Sequence, residues 1–149
     1  MRLTIHTDYA LRVLMYLAVR AEPLPTIAGI AGRFGISRTH LMKVAYQLGQ
    51  AGYIETIRGK RGGLRLARPP AEIGVGDVVR RTEPDLALVP CFDPARTACV
   101  LSPSCALRSV LYQAQAAFLE ALDRHTLADL TANRAVLAGL LERPPADPS

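Results

Sequence analysis

The chain has 149 residues, a net charge of +5 and a hydrophobic share of 50%. It can therefore bury a core, and wholesale disorder is excluded. No apolar run reaches the roughly 20 residues of a membrane-spanning helix. No apolar signal segment follows Arg2, so a cytoplasmic setting is expected.

Thr7 is expected to cap a first helix, with Asp8 in its first turn and Ala10, Leu11, Leu14, Leu17, Ala18 and Ala21 at helical spacing. Glu22-Pro23-Leu24-Pro25 stops it. Thr26 opens a second helix, which Gly35 ends in a left-handed cap. Ser37 caps a third helix to about Ala51, with Leu41, Val44, Ala45 and Leu48 on one face and Gly52 closing it. This pair of helices has the spacing of a helix-turn-helix. Tyr53 to Ile57 and Leu64 to Ala67 alternate like strands around the charged, glycine-rich turn Arg58 to Gly63. A short helix is expected from Val75 to Thr82. Pro84 to Ser104 reads as a proline-rich loop. A long helix follows from Ala106 to Asp123, with a stripe of Leu107, Val110, Leu111, Ala114, Phe118 and Leu122 suited to a partner. A short last helix starts at Leu127, capped by Thr126.

The fold expected is mainly α with a small β-hairpin wing, a winged helix-turn-helix followed by a long dimerisation helix. Residues 1–83 form the DNA-binding part, 84–105 the cysteine loop, 106–143 the dimerisation helix and last helix, and 144–149 a disordered tail.

Excess positive charge favours a polyanion partner, and its placement sharpens that expectation. Arg33, Arg38 and Lys43 precede a basic stretch of Arg58, Lys60, Arg61, Arg65, Arg68, Arg80 and Arg81. A recognition helix offers its N-terminal residues to base edges in the major groove. Here those are Ser37, Arg38, Thr39, His40 and Lys43. Arg58, Lys60 and Arg61 on the wing suit phosphates or the minor groove, which glycines allow the turn to approach. His6, His40 and His125 are scattered, and Gly59, Gly62 and Gly63 fall in a hairpin rather than before a helix. No catalytic constellation results, and an enzyme is not expected.

Cys91, Cys99 and Cys105 are the only cysteines and lie within fifteen residues of one another. An odd, clustered set in a reducing compartment argues against a disulfide framework. Thiolates suit iron–sulfur clusters, zinc or a thiol–disulfide sensor. Spacing alone leaves these three open. Cys105 precedes the long helix, whose positive dipole end favours an anionic sulfur.

Met1-Arg2-Leu3-Thr4, Thr7-Asp8-Tyr9-Ala10-Leu11-Arg12, the wing Ile57 to Gly63 and the run Cys99 to Leu107 together resemble the NsrR/IscR family of winged-helix iron–sulfur regulators. The likeness runs from Met1 to about Leu141, and the cysteine run is similar to the NsrR branch. It implies a homodimer on a palindromic double-stranded operator. It implies a cluster, [4Fe–4S] or alternatively [2Fe–2S], on Cys91, Cys99 and Cys105. Asp8 matches the position of a carboxylate ligand donated by the other subunit, with Arg12 beside it; from the residues alone, Asp8 is a helix-start residue pairing with Arg12. The IscR-like histidine ligand is replaced here by Arg108. The function implied is repression that ends when nitric oxide nitrosylates the cluster. The alternatives are a regulator of iron–sulfur or redox status and a zinc-holding winged-helix protein.

Overall fold

The computed structural model describes residues 2–96 and 99–143; the expected tail at 144–149 lies outside them. Helix α1 (Ile5–Val19) begins one turn earlier than expected. Thr4, not Thr7, is its N-cap and accepts from the Thr7 backbone N–H. Thr7 is instead fully buried within the first turn. The choice is made by Glu83, whose Oε1 accepts from the Thr4 backbone N–H at 2.8 Å and from its hydroxyl at 3.0 Å.

Helices α2 (Ile27–Phe34) and α3 (Arg38–Gln50) follow, capped by Thr26 and Ser37 as their hydroxyls suggest. Gly35 between them has φ 64°, the left-handed conformation that a residue with a Cβ adopts at a cost. Strands β1 (Ile54–Ile57) and β2 (Gly63–Leu66) pair antiparallel, Ile54 opposite Leu66 and Ile57 opposite Gly63. The hairpin is tied down just below its turn, where Leu64 N–H donates to the Pro25 carbonyl at 2.8 Å. A Cβ on Gly63 would lie 2.5 Å from that same oxygen, so only glycine permits the approach.

After a 3-10 turn at Pro70–Glu72, α4 (Val75–Thr82) buries Val75, Val78 and Val79 and packs against both α1 and the later helix that follows the cysteines. The core gathers Leu14 and Leu17 of α1, Ile30 of α2, Leu41 and Leu48 of α3, and Ile54, Leu64, Ile73 and Val78. Fully burying one such aliphatic side chain contributes about 1.5–3 kcal/mol.

The cysteine segment contains two further 3-10 turns, Pro90–Phe92 and Ser102–Ser104. Helix α5 (Ala106–Asp123) then runs 18 residues without burying one of them. Its far end is anchored: Arg80 of α4 grips Asp123 with two hydrogen bonds of 2.6 and 2.7 Å. A Cβ on Gly76 would overlap the Asp123 carboxylate, so the glycine lets α4 and α5 close. Beyond α5 the chain returns to the core, where Leu127 is buried and its N–H donates to the Ile73 carbonyl at 2.8 Å.

One last helix was expected, and two are present. Helix α6 (Leu127–Leu130) is held by a reciprocal Thr126–Asp129 capping box, and α7 (Arg134–Glu142) is fastened to α1 through Arg20–Glu142 at 2.9 Å. Asn133 supplies no side-chain cap, so nothing local announces α7.

Candidate nucleic-acid interface and cysteine site

The buried stripe of α3 fixes which of its residues face outward. Ser37, Arg38, Thr39 and Lys43 are exposed, together with Met42 (56%) and Tyr46 (71%). Sequence reasoning passed over Met42 and Tyr46, because apolar residues on a helix are ordinarily assigned to the core. Their spacing of four on the outer face is the signal that marks them. His40 is half-buried: its ring meets Tyr9 edge-on at 4.9 Å and stacks on His6 at 5.7 Å. It therefore contacts α1 as well as lying near the outer face.

The wing turn carries Arg58, Lys60 and Arg61, all exposed. Arg65 at the base is paired with Glu55, and Arg68 donates to the Gly52 carbonyl at 3.2 Å and lies over the Tyr53 ring at 5.0 Å. No salt bridge among the described residues involves Arg38, Lys43, Arg58, Lys60 or Arg61. The cations without a carboxylate partner thus include all those on the recognition helix and wing tip. That is the pattern of a surface that meets phosphates.

Helices α1, α3 and α4 are joined behind this surface. His6 Nε2 shares a hydrogen bond with the Gln47 side chain, and the Gln47 amide donates to the Arg81 carbonyl at 2.7 Å. Burial raises the Glu83 carboxyl, but hydrogen bonds from Thr7 and Thr4 and the nearby His6 outweigh it, and its pKa falls below the usual carboxylate value. The first turn of α1, which carries Asp8, is therefore mechanically tied to α3. Asp8 itself pairs with Arg12 at 3.0 Å, both side chains about half exposed.

Cys91 and Cys105 are half-buried, and Cys99 is exposed. Among the described residues, no three His, Cys, Asp or Glu side chains converge as a metal requires. Thr97 and Ala98, between Cys91 and Cys99, lie outside the described residues. Thiolates held in a loop gather when a metal offsets their mutual repulsion, so binding and ordering go together. Cys105 is the N-cap of α5, its Sγ accepting from the Arg108 N–H at 3.4 Å. Cys91 starts no helix, but its neighbour Phe92 stacks on Tyr112 of α5 at 3.9 Å and 12°. The Gln115 amide of α5 also donates to the Leu86 carbonyl. Arg108 Nε is buried without a hydrogen-bond partner among the described residues. Three free soft donors, and an unsatisfied cationic N–H on Arg108, the residue whose backbone donates to Cys105, fit an anionic, sulfur-rich iron group.

The family model Rrf2, iron-dependent transcriptional regulator, matches residues 3–133. The chain is 50% identical to the HTH-type transcriptional regulator NsrR of Bacillus subtilis (strain 168), over 95% of this chain and 98% of that one. It is 54% identical to the regulator of the same name from Geobacillus kaustophilus, over 95% and 97%. Among solved structures it is similar to T. potens IscR (28% identity, TM-score 0.71, covering 89% of this chain and 88% of that one). It is also similar to CymR, the global cysteine regulator of B. subtilis (25% identity, TM-score 0.71, covering 89% and 98%).

Proposed function

The chain belongs to the Rrf2 family of transcriptional regulators, and from that premise we propose that it is a homodimeric repressor that senses nitric oxide through an iron–sulfur cluster. Its relatives are regulators of transcription, not enzymes. Residues 1–83 read the operator, 84–105 hold the cluster and 106–143 carry the dimer contact. The observation that supports this most is that Cys105 caps a helix with no buried residue. The sulfur site and the surface a second copy would cover are one place.

Cys91, Cys99 and Cys105 would hold the cluster, [4Fe–4S] in its resting form, with Asp8 contributed across the dimer. When bound, the cluster supplies iron that reacts with nitric oxide. Arg12 holds the Asp8 carboxylate at the surface of α1, where another subunit reaches it. Tyr9 and His6 pass any displacement of this turn to His40 and Gln47 on α3. Ser37, Arg38, Thr39, His40 and Lys43 meet base edges and phosphates in the major groove, while Arg58, Lys60 and Arg61 seat the wing. Specific binding needs both recognition helices at matched spacing, so a shift of α1 relative to its partner releases the operator.

The deciding experiment is anaerobic purification with iron and sulfide analysis, followed by nitric oxide added to the protein–operator complex. An iron-loaded, coloured protein that leaves DNA after a few equivalents of nitric oxide is expected. A colourless protein, or a complex indifferent to the gas, overturns the proposal. On the DNA side, Arg58→Gln with Arg61→Gln, present in both subunits of the dimer, should flatten the logarithmic salt dependence of operator binding by about 3.6. An unchanged slope in a gel-shift titration removes the wing contact.

A further inference from the structure

Arg108 stands at the head of a chain of three contacts. Its backbone N–H donates to Cys105 Sγ at 3.4 Å. Its guanidinium lies over the Tyr112 ring, 5.5 Å from the centroid, and the Tyr112 ring stacks on Phe92 at 3.9 Å. Phe92 directly follows Cys91 in the 3-10 turn Pro90–Phe92. A cation and two aromatic rings therefore form a continuous stack from the residue that donates to Cys105 to the residue beside Cys91. Geometries of this kind are attractive at these separations.

The fourth observation is what the stack lacks. Arg108 Nε is buried and unpaired among the described residues, and no salt bridge among them compensates its charge. Arginine keeps its proton throughout the accessible pH range. A buried charged N–H without an acceptor is costly, so the position makes physical sense when an anionic acceptor is present.

We infer that Arg108 is a positioning residue for the iron–sulfur cluster: it fastens the Cys91 turn to the start of α5 through Tyr112 and Phe92, and it reserves its buried Nε–H for cluster sulfur. This rests on the proposed function for the identity of the acceptor, but the clamp stands on the metal-free chain. Two consequences separate. The planar stack protects Cys91, while the positive charge and the N–H favour the more negative, reduced state of the cluster and raise its potential.

The test uses the full chain with Arg108→Gln, Arg108→Lys and Tyr112→Leu. In the metal-free proteins, the alkylation rates of Cys91 and Cys99 by iodoacetamide are followed by mass spectrometry. Cys99 is exposed in the same loop and serves as the internal standard. Arg108→Gln and Tyr112→Leu should each raise the Cys91 rate roughly fivefold with Cys99 unchanged. In the reconstituted proteins, Arg108→Gln should move the cluster's midpoint potential to more negative values. Arg108→Lys should restore the potential but not the protection, since an ammonium carries the charge but cannot lie flat on a ring. Unchanged Cys91 alkylation in both variants overturns the clamp. A potential that Arg108→Gln leaves in place overturns the donor role. A wild-type chain that takes up no cluster removes the proposed function, and the alkylation rates still decide the clamp.

Discussion

Helices α1 and α5 have similar lengths, 15 and 18 residues, and both carry an apolar stripe at helical spacing, but they use it differently. Helix α1 buries Ala10, Val13, Leu14 and Leu17 completely or nearly so inside its own chain. Helix α5 leaves Leu107 64% and Val110 58% exposed, while further along it Gln115, Phe118 and Leu119 line a cavity with Glu83 and Asp85–Leu88. The pattern of apolar residues announces that a face will be covered. It does not say by which chain.

The comparison breaks most visibly under truncation. Leu14→Ala should cost about 2–5 kcal/mol in urea unfolding, as expected for a fully enclosed leucine. Leu107→Ala should cost the isolated chain less than about 0.5 kcal/mol and instead raise the dimer dissociation constant in sedimentation runs. Equal, concentration-independent losses from both would put α5 in the same class as α1. Gly76→Ala addresses the one end of α5 that is closed. The added methyl displaces Asp123 from Arg80 and should lower stability by about 1–3 kcal/mol in thermal melts. An unaltered melting point would show that α4 and α5 are not locked there.

The smallest effect concerns the start of α1. The folded pKa of Glu83 lies below its ordinary 4.5, so the stability it adds is full above that value and is lost as pH falls through the lowered one. Glu83→Gln should therefore destabilise the protein at neutral pH while flattening the acid limb of its unfolding curve below about pH 4.5. Parallel acid limbs in the two proteins would remove Glu83 from that role.

Much of the winged half was legible in the residues because its signals are local. Ser37 before Arg38, Gly35 at the left-handed stop and the glycine-rich turn between two alternating runs each act within a few positions. Helix α4 was readable to its ends for the same reason. The misses are all settled at a distance. Thr4 and Thr7 are equally good caps, and Glu83, 79 residues away, selects the first. Helix α7 meets α1 and the Arg20 that follows it, whose partner Glu142 is 122 positions away in the chain. The Phe92–Tyr112 stack joins a loop to a helix across 20 positions, and no spacing rule connects them. Asp8 and the cysteines were nameable by resemblance alone, and among the described residues the packing of one chain brings no three ligand-type side chains together.

The grip of Arg80 on Asp123 gives α5 the mechanics of an arm pivoted at one end. At 1.5 Å per residue, its 18 residues extend roughly 27 Å from that pivot to Cys105. A rocking of about 5° at the fixed end sweeps the sulfur end through roughly 2 Å, comparable to the length of an iron–sulfur bond. Any event that makes or breaks bonds at the Cys105 end therefore works at the long side of this arm, and the torque arrives at α4, which packs against the helix that carries Asp8.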